Sequence, residues 1–157
     1  MKHLIPLLEY EEGYREKPYY CSKGYPTIGI GKRIGPCNAP LSHYEFTCSK
    51  PMAYMWLDEE VSKIQAQLVQ YKWYVDQTES RKVILVSMAY QMGVQGLLGF
   101  RNMIKALERK HYTTAFREAL DSKWYKRDTP ERAMRHATVL QHGDLMKVYR
   151  NKINLGD

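Results

Sequence analysis

A chain of 157 residues, 44% hydrophobic and 26% charged, can bury one core with a cleft, or two small lobes sharing a helix, and is too apolar for a disordered protein. Its formal charge of +7, from 24 lysines and arginines against 17 acidic residues, favours encounter with an anionic polymer such as nucleic acid or cell wall without choosing between them. The longest apolar run, around "VILVSMAY", is interrupted by Ser87 and falls far short of the roughly 20 residues that span a bilayer, so no membrane insertion is expected.

The opening "MKHLIPLLEYEEG" has a short apolar stretch broken by Pro6 and followed at once by glutamates. It lacks the signal-peptide pattern, which predicts a protein made and kept in the cytoplasm. Residues 4 to 12 read as a helix: Leu4, Leu8 and Glu12 share a face at i, i+4 spacing, Ile5 and Leu7 widen the apolar stripe, and Pro6 fits in the first turn. Gly13 follows as a C-cap and leaves Glu12 at the carboxyl end of the helix, on the edge of its buried face. Glu11, about 100° around the helix, lacks that buried placement and reads as structural.

From Tyr19 to Gly31 the period changes to two, with "SKG" as turn residues between Tyr19-Tyr20-Cys21 and the run from Tyr25 to Ile30, which predicts a hairpin. Alternation puts Ile28 and Ile30 on the core face. Thr27, Gly29 and Gly31 fall on the other, an open face where missing side chains let a large ligand approach the backbone. Residues 34 to 51, with three prolines and the remaining cysteines, read as a loop. Ser49 then caps a long helix whose apolar positions Leu57, Val61, Ile64, Leu68, Tyr71 and Val75 form one stripe, a rod suited to bridging two lobes over about 50 to 72.

From about Glu79 the pattern is helical, punctuated at Gly93, Gly96, Gly99 and "RDTPER", where Asp128 or Thr129 can cap and Pro130 takes the first helical position. The predicted class is α+β, one domain over 1–157. A small lobe at about 13–50 holds the sheet, and a helical lobe at about 73–157 receives the N-terminal helix 4–12.

Taken singly, a glutamate at a helix end is ordinarily a solvated charge, a cysteine a small hydrophobe and a threonine a strand residue. Glu12, Cys21 and Thr27 in combination, with eight and then five residues between them, and with "GYPTIGIG" around the threonine, resemble the phage-type lysozymes of glycoside hydrolase family 24. The segments "SMAYQMGVQGLLGF" and "ALDSKWYKRDTPERAMR" and the helix opening at Ser49 extend the resemblance over most of the chain. The departures are a proline-rich loop at 34 to 48 that looks shorter, Lys32 where His is frequent, and Cys21 where Asp is commonest.

The resemblance implies a lysozyme-like fold and an endolysin that hydrolyses the β-1,4 bond between N-acetylmuramic acid and N-acetylglucosamine in peptidoglycan. By it Glu12 is the general acid, Cys21 the second catalytic position and Thr27 a group that places the attacking water. Gly29, Gly31, Gln91 and Arg132 become substrate-binding or supporting residues, with Arg132 holding the acid and Arg135 pairing with Glu11. It also implies a monomer needing no cofactor, released from the host cytoplasm by a phage holin to act on periplasmic peptidoglycan.

Proton delivery to a poor leaving group supports Glu12 on physical grounds. Burial beside Leu8 and the negative helix end disfavour its carboxylate, whereas the arginine favours it. A free thiol, with a reference pKa of about 8.5, is mostly neutral at pH 7. Cys21 therefore acts either as a neutral group orienting water with Thr27, the preferred reading, or as a thiolate stabilised by Lys17 or Lys23 and serving as base or counter-charge. Direct attack by sulfur ranks below both.

Cys37 and Cys48, with His43 between them, lack a fourth metal ligand, so no metal is expected, and oxidation could join those two thiols. Lytic transglycosylation of the same bond is the rival within enzymes. A noncatalytic wall-binding or nucleic-acid-binding protein is the rival outside them, although no helix-turn-helix or aromatic RNA-binding strand motif appears.

Overall fold

The computed structural model describes residues 1–155; the last two residues of the expected helical lobe lie outside them. Helix α1 (Leu4–Glu12) buries Leu4, Leu7 and Leu8 and ends at Gly13, whose φ of 71° suits a residue without a side chain. The chain then forms a three-stranded antiparallel sheet in the order β1 (Arg15–Tyr20), β2 (Pro26–Gly29) and β3 (Lys32–Arg33). Tyr19 faces Thr27 and Tyr20 faces Pro26, and the ladder is irregular between Arg15 and Tyr19, where Pro18 sits on the edge strand. Cys21 leaves the strand and opens the turn, its carbonyl accepting from the Gly24 amide at 2.9 Å.

The open face expected opposite Ile28 and Ile30 is closed at Gly29, where α2 (Lys50–Leu68) and the loop ahead of it pack, while Thr27 and Gly31 border a cleft. Thr27, Ile28 and Gly29 are all buried. A Cβ on Gly29 would lie 3.3 Å from both the Ala53 Cβ and the Cys48 Sγ, so Gly29 makes room for a helix. Cys48 is fastened there by its amide, which donates to the Glu16 carbonyl at 2.8 Å, and by its carbonyl, which accepts from the Tyr14 hydroxyl at 2.5 Å.

Ser49 caps α2, its hydroxyl accepting from the Met52 amide at 3.4 Å. The apolar stripe Leu57, Val61, Ile64 and Leu68 is buried as its spacing predicts, but the helix stops at Leu68 instead of carrying the stripe to Val75. The chain turns over Val69 to Tyr71 and restarts as α3 (Lys72–Val75). That turn buries Trp73 and Tyr74 and leaves Val75 exposed, so two aromatic rings take the core positions that a continuous helix would have given to one valine.

The rest is helical: α4 (Glu79–Leu98), α5 (Arg101–Glu108), α6 (Tyr112–Leu120), a π turn at Trp124–Asp128, α7 (Pro130–His142) and α8 (Met146–Tyr149). Helix α4 breaks at Gly93, with φ 81° and ψ 159°. Pro130 begins α7 and Thr129 precedes it, but the Thr129 side chain makes no capping bond. One hydrophobic cluster runs from Leu4, Leu7 and Leu8 through Ile28 and Leu57 to Ile84, Leu107 and Tyr149, joining the sheet to the helices. No single described helix is long and apolar enough to cross a membrane.

Candidate active site

A cleft of about 1290 Å³ runs between the sheet and helices α4 and α7. Glu12, Cys21, Thr27, Gly31, Gln91 and Arg132 all line it. Gly29, expected with them, faces Ala53 and Cys48 instead.

Glu12 reaches the cleft because α1 ends there. Its carboxylate accepts from Arg132 Nη1 at 2.7 Å, an ion pair in which the glutamate side chain is 19% exposed and the arginine 6%. Gly31 presses against the same carboxylate: a Cβ on it would come within 2.7 Å of Glu12 Oε2, and its φ is +68°. Glycine therefore serves two purposes at 31, a left-handed backbone and space for the acid.

Glu11 pairs with Arg135 as expected, but it does not have the less buried placement that the helical wheel predicts. Its side chain is 2% exposed, less than that of Glu12, because Arg135 from α7 donates to both oxygens at 2.8 Å and the Tyr149 hydroxyl donates to Oε1 at 2.6 Å. A buried carboxylate gripped in two places satisfies its acceptors from distant elements that a local wheel does not contain.

Cys21 is half-buried at the hairpin turn. Burial pushes its thiol up, but hydrogen bonds from the Tyr25 and Lys23 backbones and the Thr27 side chain, with the Arg33 guanidinium, together hold it below the ordinary range. The cation is thus Arg33, not the ammonium of Lys17 or Lys23. Lys23 points its ammonium at Asp128, 3.7 Å away. Thr27 Oγ1 lies 2.8 Å from the Tyr25 carbonyl, so its one hydroxyl proton serves that carbonyl or the Cys21 sulfur in turn, and it holds the thiol low only when turned to sulfur.

All three thiols are free. Cys37 is exposed and donates to the Lys23 carbonyl at 3.4 Å, while Cys48 is buried behind Gly29, so the bridge considered between them is not formed. Among the described residues no group of three or more His, Cys, Asp or Glu is placed to hold a metal ion.

Gln91 is fixed at both ends of its amide: Trp124 Nε1 donates to its oxygen and its nitrogen donates to the Thr129 hydroxyl, both at 2.9 Å. That explains the missing cap, since the hydroxyl placed to cap α7 is turned to Gln91 instead. Tyr19 and Tyr90 also line the cleft. Burial and then the Glu12 charge push both phenols up, and Tyr90 donates to the Ile30 carbonyl at 2.5 Å.

Sequence reasoning missed a buried trio behind the cleft, Ser87, His136 and Tyr149. The available signals were a serine inside the run "VILVSMAY" and a histidine four positions after Arg132, on the same helix face.

The model of the phage lysozyme family matches residues 9–137, most of the chain. A protein of Dictyostelium discoideum named probable T4-type lysozyme 1 is 29% identical over 160 residues, covering 88% of this chain and 94% of its own length. The pre-baseplate central spike protein Gp5 of Enterobacteria phage T4 is 29% identical across 90% of this chain, which spans 28% of that longer protein. The peptidoglycan hydrolase gp36 of Pseudomonas phage phiKMV is 29% identical over 78% of this chain, matched to 13% of its length. Together with the mixed helical and antiparallel fold, the family match establishes that the chain belongs to the phage lysozyme family and is a glycoside hydrolase.

Proposed function

We propose that the chain is a muramidase that hydrolyses the β-1,4 bond between N-acetylmuramic acid and N-acetylglucosamine. The observation that carries this reading is the cleft in which an arginine-held Glu12 shares one wall system with Cys21 and Thr27. A peptidoglycan hydrolase and two probable T4-type lysozymes among the similar proteins agree with it.

In the reaction, Glu12 in its protonated form gives a proton to the glycosidic oxygen, and the C1–O bond breaks with its electrons leaving on that oxygen. Water held by Cys21 and Thr27 bonds to C1 from the opposite face. Its released proton goes to the thiolate fraction of Cys21 or to solvent, so one water is consumed and the anomeric configuration inverts. Arg132 orients the acid in the resting enzyme and is displaced from it as the glycan enters.

The same reading has the protein act as a monomer in host cell lysis. It waits in the host cytoplasm until a phage holin opens its route to peptidoglycan.

Digestion of purified peptidoglycan tests the reaction. New reducing ends, products heavier by one water than anhydro sugars, and an initially inverted anomer are expected. Anhydro products would establish transglycosylation instead. Steep salt-dependent DNA binding with no glycan released would establish a noncatalytic protein.

A further inference from the structure

Glu11 and Glu12 each pair with an arginine of α7, and between the two pairs lies an unbroken row of buried polar atoms. Arg132 Nη2 is 3.0 Å from Ser87 Oγ and 3.3 Å from the Ser87 carbonyl. Ser87 Oγ is 2.8 Å from His136 Nε2, His136 Nδ1 is 2.8 Å from the Tyr149 hydroxyl, and that hydroxyl is 2.6 Å from Glu11 Oε1. His136 and Ser87 are both fully buried.

The proton positions follow from what each end can do. A guanidinium only donates, so Ser87 Oγ accepts from Arg132 and sends its single proton to His136 Nε2. At the other end the Glu11 carboxylate accepts, so Tyr149 sends its proton there and accepts from His136 Nδ1. The imidazole is therefore neutral, with its proton on Nδ1. A second proton on Nε2 would meet a hydroxyl oxygen already receiving from Arg132, and would add positive charge between Arg132 and Arg135. Burial, then those two arginines, hold the ring well below the ordinary histidine range.

Arg132 has a choice of carboxylates. Its Nε makes no hydrogen bond and lies 4.0 Å from Glu11 Oε2, while its Nη1 is on Glu12 at 2.7 Å. Besides the ion pair with Glu12 itself, the Nη2 contacts to Ser87 are the hydrogen bonds among the described residues that orient the guanidinium toward Glu12.

We propose that His136 is a positioning residue for glycan hydrolysis: by taking the Ser87 proton it turns the Ser87 lone pair onto Arg132 and keeps that guanidinium on Glu12 rather than on Glu11. This rests on the reading of Glu12 as the acid. Through Tyr149 the same ring gives Glu11 a donor of its own, so that Glu11 does not compete for Arg132.

The test compares the parent with His136→Val, Ser87→Ala and the double variant. At a temperature where all are folded, each single variant should lose kcat by about tenfold or more with KM nearly unchanged, because a misplaced guanidinium leaves the acid misaligned. The double variant should lose no more than the worse single one, since both cut the same link. A histidine with a merely structural role would lower the melting temperature and leave kcat alone. Parental kcat in His136→Val, or losses that multiply in the double variant, would overturn the proposal.

Should the variants fail to fold, ¹⁵N NMR of the parent ring decides at pH 7. A proton on Nδ1 alone supports the proposal, and a proton on Nε2, alone or in addition, overturns it. If the parent releases neither reducing ends nor anhydro sugars from peptidoglycan, the assignment of Glu12 fails and the positioning role fails with it, whereas the tautomer measurement still judges the hydrogen-bond row separately.

Discussion

At the scale of single residues, the cleft depends on small side chains and on partners supplied from far along the chain. Arg33 contributes to holding the Cys21 thiol low, so Arg33→Gln should move its titration, followed by thiolate absorbance, toward higher pH. An unchanged titration would remove Arg33 from the thiol's environment. Cys21→Asp should keep substantial lytic activity and Cys21→Ala should lose about 100-fold or more, the scale of a lost water-handling group. An alanine variant as active as the parent would take Cys21 out of the mechanism.

His136 adds a dependence of stability on pH. Its folded value lies below the unfolded one of about 6.5, so as pH falls below that value the unfolded chain binds a proton that the folded chain refuses. Stability from this group is complete above about pH 7 and declines by up to roughly 1.4 kcal/mol per pH unit below about 6.5. Its surroundings are Arg132 and Arg135 from α7, Ser87 from α4, Tyr149 from α8 with Glu11 beyond it, and the edge-on Trp124 ring. Denaturant unfolding from pH 7 to 5 should show a shallower decline in His136→Val than in the parent.

At the scale of elements, the break in α4 is a backbone requirement. A Cβ on Gly93 would meet nothing within 4 Å, yet its φ of +81° is costly for other residues. Gly93→Ala should therefore destabilise by about 1–3 kcal/mol without any clash, as measured by denaturant unfolding. A neutral substitution would mean that the break relaxes into continuous helix. Gly31→Ala combines the same strain with collision against Glu12, so it should reduce activity as well as stability.

Local pattern made several elements legible. The stripe in α1, the Ser49 cap, the Gly13 terminus and the Tyr19-to-Ile30 hairpin all depend on neighbours within a few residues. What escaped depends on tertiary partners. Glu11 pairs with Arg135 as expected but lies deeper than Glu12 because Tyr149 also closes on it, Gly29 is turned toward α2 and Cys48, and α2 ends at Leu68, after which Trp73 and Tyr74 enter the core.

At the scale of the whole molecule, one core joins the sheet to the helices, and the cleft brings residues from α1, the sheet, α4 and α7 to one place. The resemblance carried by Glu12, Cys21 and Thr27 named the family that the match over residues 9–137 then established. It did not reveal the buried row behind the acid, because Ser87 and His136 become polar partners only when α4 packs on α7.

The central claim is that Glu12 delivers the proton that breaks the glycosidic bond. Glu12→Gln, assayed by reducing ends released from purified peptidoglycan beside a control for folding, should lose about 100-fold or more of the parent's rate, because the amide keeps the shape but has no acidic proton to give. A folded glutamine variant that releases reducing ends at the parental rate would contradict it.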